Sequence, residues 1–540
     1  MNLCVFDIPH LNDGVTQHLS LQDLARCVLV CKAWHSWFTP TLWCTVRFWQ
    51  ASPEGISALT RFHSHVRTLD IHFADLVLPP GVLTPFPNIR SVRYRSSQGT
   101  NDHQLLQLIR ATPSLQSIAV CIERGSGDIS ARLANTLRSL PWLRKLDLTW
   151  NGTTPDDVQR IIENCSQYDS LRLDLYMSSY TKEEAREKCQ IAKTAMDQME
   201  NTRIRELTLE RPEKDVEFAV LIPLLERCPL LERLKLEDLG RPETVRKIAA
   251  VLRNKKCPRL KHLDIGISSG LDGDEEPIAE LLRSIECSSD RGEHGGIQGG
   301  QNGGDAGGNH GGGLETLSVN YGVYFEEKCL LALTAYHGET LVALDLSFRT
   351  VELHHFVGAV SCLPKLQSLR ICVSLGLRIL DVPTIEQAFQ TPWTCLSLTA
   401  LEIMLDVDGY HAVGIDSPKW KESLQNRFLE YMYSQFGRLR ELREWKLRGR
   451  FDSLPLQQGY LIRLAGLKQL KSMSLRFDEC YEVGAIEAEW MTDNWPGLIH
   501  VVTRRNIPRR GGNDTDPFEL NVFTSALRAK RPWIQIEEIR

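Results

Sequence analysis

The sequence of 540 residues lacks the features that mark membrane, secreted and nucleic-acid-binding proteins. No apolar run approaches the ~18 residues of a membrane span, and the stretch "MNLCVFDIPHLND" has neither the basic start nor the apolar run of a secretory signal. A basic excess is absent too, because the net charge is -5. These absences predict a soluble protein of the cytoplasm or nucleus that binds neither membrane nor nucleic acid.

Motifs for catalysis and metal binding are equally scarce. C-x-x-C, H-E-x-x-H and Walker-type loops are missing, and His354-His355 has no matching ligand cluster. "GISSG" (266 to 270) matches the nucleophile elbow, but a loop follows Ser268 where the elbow requires a helix. "DGDEEP" (272 to 277) lacks the twelve-residue calcium loop and suits a helix N-terminus. The sequence therefore predicts a protein that is not an enzyme and needs no cofactor or metal.

The chain has 15 cysteines, an odd number, and they are scattered along the sequence. A disulfide framework is typical of short secreted chains with an even count. We therefore expect reduced thiols, mostly buried as small apolar side chains.

A short phrase, apolar-x-x-apolar-x-apolar, organises most of the chain. It appears as "LRKLDL" around Leu146, "LERLKL" around Leu234 and "LVALDL" around Leu344. The middle apolar positions of all copies are 69, 92, 118, 146, 171, 207, 234, 263, 317, 344, 369, 401, 445, 473 and 501. Most successive differences lie between 23 and 29 residues. This is the period of leucine-rich repeats, which this part of the chain resembles.

The phrase has a simple physical interpretation. In a strand the two apolar residues of L-x-L point to one side, while their neighbours face solvent. One repeat cannot bury its apolar side alone, so successive repeats must stack. The segments between phrases are amphipathic, such as 243–254 and 277–285. The predicted fold class is therefore α/β, a leucine-rich repeat solenoid with a parallel concave sheet and convex helices.

Longer spacings between phrases indicate insertions. The gap of 54 residues contains the Gly-rich segment 288–313, which cannot bury enough surface to order itself. Removing its 26 residues leaves a normal spacing of 28. The segment 181–200 favours a longer helix, a polar insertion surrounds Trp420, and 504–517 favours a flexible loop. A last helix and strand near 518–540 are expected to cap the stack.

Residues 8–43 do not follow the repeat. Ser20 is a good N-cap for a helix from Leu21 that should end before Pro40. Two apolar stripes on this helix indicate burial on both sides. They contain Leu24, Cys27, Val28, Cys31 and Trp34 on one side and Val30, Ala33 and Trp37 on the other. An earlier helix is weakened by Gly14, which costs ~1 kcal/mol in a helix interior.

This segment resembles an F-box. The residues that carry the resemblance are Ile8-Pro9, Leu11, Val15, Leu19, Asp23-Leu24, Val30-Cys31-Lys32-Ala33-Trp34 and Leu42-Trp43. The resemblance implies docking onto the small adaptor subunit of SCF ubiquitin ligases, and through it onto the cullin ligase. An F-box followed by leucine-rich repeats is a known family architecture in which the repeats hold the substrate. The predicted domains are a helical module at 1–48 and a solenoid of about 15 repeats at 49–540.

Two sets of candidate site residues follow. The resemblance implies adaptor binding by Ile8, Pro9, Leu11, Val15, Leu19, Leu24, Val28, Val30, Cys31, Trp34, Leu42 and Trp43. Charged residues of both signs at the strand centres suit a protein substrate, whose identity the sequence does not give. The candidates for substrate binding are Arg93, Asp147, Arg172, Lys235, Asp264, Asp345, Arg370 and Lys446.

An alternative function stays open at this point. The protein could be a leucine-rich repeat scaffold or inhibitor whose F-box-like segment only caps the open end of the solenoid. The strand-centre positions are polar in any such solenoid, whether or not they bind a partner. Exposed charges also contribute little binding energy on their own.

Overall fold

A computed structural model gives the structure of the protein. It describes residues 9–48, 52–72, 86–96, 102–122, 127–153, 160–161, 163–177, 201–210, 215–237, 239, 241–266, 275–285, 313–320, 325, 327–351, 353–375, 390–406, 430–449, 461–477, 484–505 and 518–539. Backbone contacts divide the chain into two compact units, Met1–Glu237 and Asp238–Arg540. This division differs from the predicted boundary after residue 48.

Three short helices open the first unit: α1 (Pro9–Thr16), α2 (Leu21–Val28) and α3 (Lys32–Leu42). Ser20 caps α2, since its hydroxyl oxygen accepts a hydrogen bond from the Asp23 N–H at 3.2 Å. Strand β1 (Thr45–Phe48) follows α3 and pairs in parallel with the next strand. The sheet therefore begins inside the module that the sequence placed at 1–48.

The strands of the first unit form a parallel sheet in chain order. After β1 come β2 (Thr68–His72), β3 (Ser91–Ser96), β4 (Ser117–Ile122), β5 (Lys145–Thr153), β6 (Ser170–Met177), β7 (Glu206–Glu210) and β8 (Arg233–Leu236). The helices between them are Pro53–Phe62, Asp102–Arg110, Gly127–Arg138 and Asp215–Glu226. This order is the one that stacked strand-helix repeats require.

The second unit repeats the arrangement. Its strands also pair in parallel and in chain order. They are β9 (His262–Gly266), β10 (Thr316–Asn320), β11 (Ala343–Val351), β12 (Ser368–Leu375), β13 (Ala400–Asp406), β14 (Glu444–Gly449), β15 (Ser472–Phe477), β16 (His500–Arg505) and β17 (Gln535–Ile539). The helices are Pro242–Arg253, Glu276–Ser284, Glu327–His337, Leu353–Val360, Leu461–Arg463, Ala485–Asn494 and Phe518–Lys530, with a further helical segment at 430–436.

The core lies between the strands and the helices. All fifteen predicted middle positions lie on strands β2 to β16 and are at most 2% exposed. The register joins them laterally, as in Leu69 to Val92 and Leu344 to Leu369. The predicted α/β fold of the leucine-rich repeat type is therefore confirmed.

The Gly-rich insertion leaves the sheet undisturbed. Leu317 of β10 pairs with Leu263 of β9, so the strands on either side of the insertion are neighbours, as the corrected spacing predicts. The predicted segment 288–313 lies outside the described residues apart from Gly313, and 181–200 and the surroundings of Trp420 lie outside them entirely.

Three sequence predictions need correction. The single helix from Leu21 is two helices, because Cys31 is extended (φ -159°, ψ 168°) and its sulfur caps α3. Helix α3 also continues through Pro40 to Leu42, since the Trp43 N–H still donates to the Thr39 carbonyl at 3.0 Å. Arg504 and Arg505 end strand β16 and are not loop residues.

Candidate protein-interaction sites

The N-terminal helices expose apolar side chains. We name five of them the N-terminal apolar surface: Leu11 (41% exposed), Val15 (37%), Leu21 (66%), Leu29 (85%) and Val30 (62%). They lie on α1, on α2 and on the turn that separates α2 from α3. Large apolar side chains that are exposed in a group, rather than singly, are typical of surfaces that a partner covers.

The predicted adaptor-binding residues are distributed over three environments. Leu11, Val15, Val30 and Cys31 are exposed. Leu24 is buried at 3% and belongs to the core of the module. Partly buried are Leu19, Val28, Trp34, Leu42 and Trp43.

Two of the predicted residues lie outside this comparison, and one contacts the repeats. Ile8 and the side chain of Pro9 are not among the described parts. The Trp43 ring stacks on Phe62 of the first repeat helix, with centroids 4.7 Å apart and planes at 24°. The sequence prediction missed Leu21 and Leu29, which are exposed because the chain turns at Leu29 and Val30. The single continuous helix predicted from the sequence has no such turn, so the prediction did not indicate that Leu29 is exposed.

The open face of the sheet carries the second candidate site. On each strand the residue between the two buried apolar positions projects from the opposite side. In the first unit the register aligns these residues in one row, the central column: Arg47, Asp70, Arg93, Ala119, Asp147, Arg172, Thr208 and Lys235. Neighbouring strands are ~4.8 Å apart, so adjacent column residues can touch.

Much of the charge in this column is paired within the protein. Arg172 lies 3.5 Å from Asp147 and 2.6 Å from Glu210. Lys235 lies 2.6 Å from Glu237 on its own strand end. Burial raises the pKa of Asp147, and the positive charges of Arg172 and Arg93 oppose that rise.

The second unit has its own central column: Asp264, Ser318, Asp345, Arg370, Glu402, Lys446, Ser474, Val502 and Glu537. Arg370 lies between Asp345 (3.4 Å) and Glu402 (3.7 Å). The Asn320 amide donates to Asp264 at 3.1 Å. Burial raises the pKa of Asp345, which Arg370 opposes and Asp264 and Glu402 reinforce. Some of the oppositely charged residues at the strand centres therefore pair with each other on neighbouring strands.

The acidic segment before Pro277 has a structural use. The Glu275 carboxylate accepts hydrogen bonds from the backbone N–H groups of Lys328 (3.3 Å) and Cys329 (3.4 Å) at the start of the neighbouring helix. Glu276 lies 2.7 Å from Arg283 and 3.1 Å from Lys328. Carboxylates at helix N-termini stabilise the open N–H groups. Within the described ranges, no cluster of three His, Cys, Asp or Glu side chains is arranged to hold a metal ion.

The described cysteine side chains are free thiols, and most of them are at least partly buried. Among the ten cysteines whose side chains the structure describes, all free, Cys228, Cys257, Cys329 and Cys395 are buried and only Cys31 and Cys362 are exposed. Burial raises the pKa of the Cys228 and Cys395 thiols to about 12.

In the part of the chain that the structure describes, no helix has the length and apolar composition needed to cross a membrane.

A buried histidine joins both sides of the insertion. The Leu314 N–H donates to His337 Nδ1 at 3.4 Å, so Nε2 carries the proton and donates to the Leu282 carbonyl at 3.0 Å. Burial lowers the pKa of His337 to about 4, although its bond to Leu282 acts in the opposite direction. A neutral imidazole therefore holds together the chain before and after the insertion.

Comparison with known proteins finds only distant similarity to solved structures. No protein-family model matches the sequence, and no curated protein does. One solved structure with partial similarity to this chain is that of the yeast Rad7 and Elc1 complex, with 15% identity, a TM-score of 0.39, and coverage of 76% of this chain and 88% of the other. Another is the leucine-rich repeat-containing protein LegL7 from Legionella pneumophila, with 15% identity, a TM-score of 0.32, and coverage of 64% and 94%. At these values the strands and their register, described above, carry the fold assignment.

Proposed function

We propose that the protein is a non-catalytic substrate receptor of an SCF-type ubiquitin ligase. In this proposal the N-terminal helices dock onto the small adaptor subunit, and the repeats bind the protein to be ubiquitinated. The observation that carries the proposal is the N-terminal apolar surface. It lies in the segment whose sequence resembles an F-box, and no described part of the chain covers its side chains. The protein would act in the cytoplasm, the nucleus or both.

The adaptor would contact the exposed members of the surface. Leu29 and Val30 lie on the turn between α2 and α3, where a partner reaches them without unfolding either helix. Burial of an apolar side chain of this size at an interface contributes ~1.5–3 kcal/mol. Leu24 and Phe38 form the core of the module and would support the surface without contacting the adaptor.

The alternative, that the N-terminal helices only cap the repeats, also has an observation in its favour. Strand β1 follows α3 directly, and the Cys44 carbonyl accepts hydrogen bonds from the N–H groups of Arg67 and Thr68, both at 2.9 Å. The stacking of Trp43 on Phe62 adds an apolar contact at the same place. A cap would explain these contacts, but it would not explain why the apolar side chains of Leu29 and Val30 are exposed.

Deleting residues 1–42 distinguishes the two functions. Substrate-receptor function predicts that the full chain co-purifies with the adaptor and that the deleted chain does not, while the repeats keep their circular dichroism and melting temperature. Cap function predicts that the deletion unfolds the first repeats and that the full chain fails to retain the adaptor. Failure of the full chain to bind the adaptor would overturn the proposal.

A further inference from the structure

The open face over the first three strands is basic. The outward positions there are Thr45, Arg47, Thr68, Asp70, His72, Ser91, Arg93 and Arg95, and among these described residues Asp70 is the only carboxylate. The last four strands of the same unit are close to balance, with Asp147, Asp174, Glu206, Glu210 and Glu237 against Lys145, Arg172, Arg233 and Lys235. The positive charge is therefore concentrated at one side of the sheet.

Asp70 accepts no hydrogen bond from Arg47 or Arg93. Its Oδ2 lies 3.9 Å from Arg47 Nε and 3.7 Å from Arg93 Nη1, beyond the ~2.7–3.2 Å of a hydrogen bond. Both arginine side chains are 64% exposed. Arg95, the register partner of His72, is exposed and makes no ion pair with any residue that the structure describes. Three guanidinium groups thus present open donors to solvent, each able to bind a carboxylate in two-point fashion.

Next to the arginines runs a strand with small side chains. The outward residues of β4 are Ser117, Ala119 and Cys121, which the register places between β3 and β5. Arg93 and Arg95 form one side of this trough, and Lys145 and Asp147 form the other. Two strand spacings give a separation of ~10 Å, the width that one extended chain occupies. The influence of Arg93 on the pKa of Asp147 shows that charges on the two sides interact across the trough.

We propose that the trough over β4 binds an extended acidic segment of a partner protein. Carboxylates of the segment pair with Arg93 and Arg95, and its small side chains cover Ala119 and Cys121. Arg47, three strands from β4, adds positive charge beside the trough. A peptide fits better than a nucleic acid, because the outward residues named on β1 to β4 include no Phe, Tyr or Trp on which bases could stack. The inference rests on the proposed function, in that it names the class of substrate segment that the repeats hold.

The test uses the full chain and a defined probe. A fluorescein-labelled peptide of about ten residues, alternating Glu and Ser, spans the length of β4 and its flanks. Fluorescence polarisation compares it with a Gln-Ser peptide, a Lys-Ser peptide and an oligothymidine of equal length. We expect binding of the acidic peptide that weakens with salt, and no binding of the other two peptides.

Variants separate the trough from general charge. Arg47→Gln, Arg93→Gln and Arg95→Gln together should weaken binding at least about tenfold, or ~1.4 kcal/mol. A triple variant with the exposed Arg110, Arg259 and Arg440 changed to Gln should bind as the wild type does. Ala119→Trp should block the trough with all charges intact, whereas Ala119→Ser should not.

Three outcomes would overturn the inference: no binding of the acidic peptide, equal binding by both triple variants, or tighter binding of the oligothymidine. Adaptor retention is measured on the same variants and should not change, because none of them lies on the N-terminal apolar surface. Failure of peptide binding with an intact adaptor complex would therefore leave the proposed function standing, and the reverse result would leave the trough standing.

Discussion

At the scale of single residues, His337 makes the second unit sensitive to acid. Its folded pKa of about 4 lies below the ordinary value of 6.5 because the ring is buried. Between these two pH values the unfolded chain binds a proton that the folded chain does not, so stability falls as the pH drops below 6.5. Above pH 6.5 both states are neutral and this contribution is fully present. The loss approaches ~3 kcal/mol near pH 4.

The variant His337→Gln tests this prediction. Glutamine can replace some hydrogen bonds but takes up no proton, so the variant should be less stable at pH 7 and should approach the wild type as the pH falls towards 4. Urea unfolding across this pH range measures the difference. The exposed His18→Gln serves as control. A constant difference between wild type and His337→Gln at all pH values would contradict the prediction.

Arg172 stabilises the open face of the first unit through two carboxylates. The substitution Arg172→Met should lower the free energy of unfolding by about 1 kcal/mol, since Glu210 is only 11% exposed and loses its 2.6 Å partner. High salt should reduce the effect. Arg233→Met, which removes a more exposed pair at 3.9 Å, should change little. Equal losses for both variants in urea unfolding would show that burial of the pair does not matter.

At the scale of elements, helix α1 contains a glycine that can be improved. A Cβ added at Gly14 would meet no atom within 4 Å. Because alanine lowers the conformational entropy of the unfolded chain, Gly14→Ala should stabilise the N-terminal helices by ~0.5–1 kcal/mol. Hydrogen exchange of the α1 amides should slow by a matching factor. Unchanged or faster exchange would show that α1 is not limited by this residue.

Close packing of successive repeats depends on other glycines. A Cβ at Gly437 would collide with the Arg463 carbonyl, and one at Gly466 would lie 2.7 Å from the Gly437 carbonyl. Backbone atoms cannot move aside cheaply, so Gly466→Ala should cost ~1–3 kcal/mol. The helix residue Gly358 has open space around its Cβ position, and Gly358→Ala should not destabilise. Thermal unfolding compares the two, and the reverse order would contradict the packing.

The sequence predicts some elements better than others for physical reasons. Leu146 or Leu344 recurs at a fixed period because every repeat must bury the same positions, so strands and register follow from local pattern. The break between α2 and α3 gives no such signal, since no Gly or Pro stands there and Cys31 acts as the cap. Partners such as Arg172 and Glu210, 38 residues apart, depend on lateral register between strands and are invisible in one repeat.

At the scale of the whole molecule, two kinds of surface are joined in one chain. Apolar side chains remain exposed on the N-terminal helices, and arginines face a trough of small residues on the first strands of the sheet. The F-box resemblance named Leu11, Val15 and Val30 of the first surface. The strand centres named Arg93 and Asp147 beside the trough but not Arg95. The sequence did not separate exposed residues from core residues, because Leu24 and Val30 lie on two apolar stripes that were both predicted to be buried. Exposure distinguishes them, and only the folded chain defines it.

Substrate-receptor function is tested by the affinity of the full chain for the small SCF adaptor, measured by isothermal titration. We expect one adaptor per chain, and a loss of at least about tenfold in affinity on Leu29→Asp with Val30→Asp. Ile462→Asp with Ile486→Asp is the matched control, since those side chains are 70% and 79% exposed and lie far along the sequence. It should leave the affinity unchanged. Absence of adaptor binding by the wild type, or equal affinity for both double variants, would contradict substrate-receptor function.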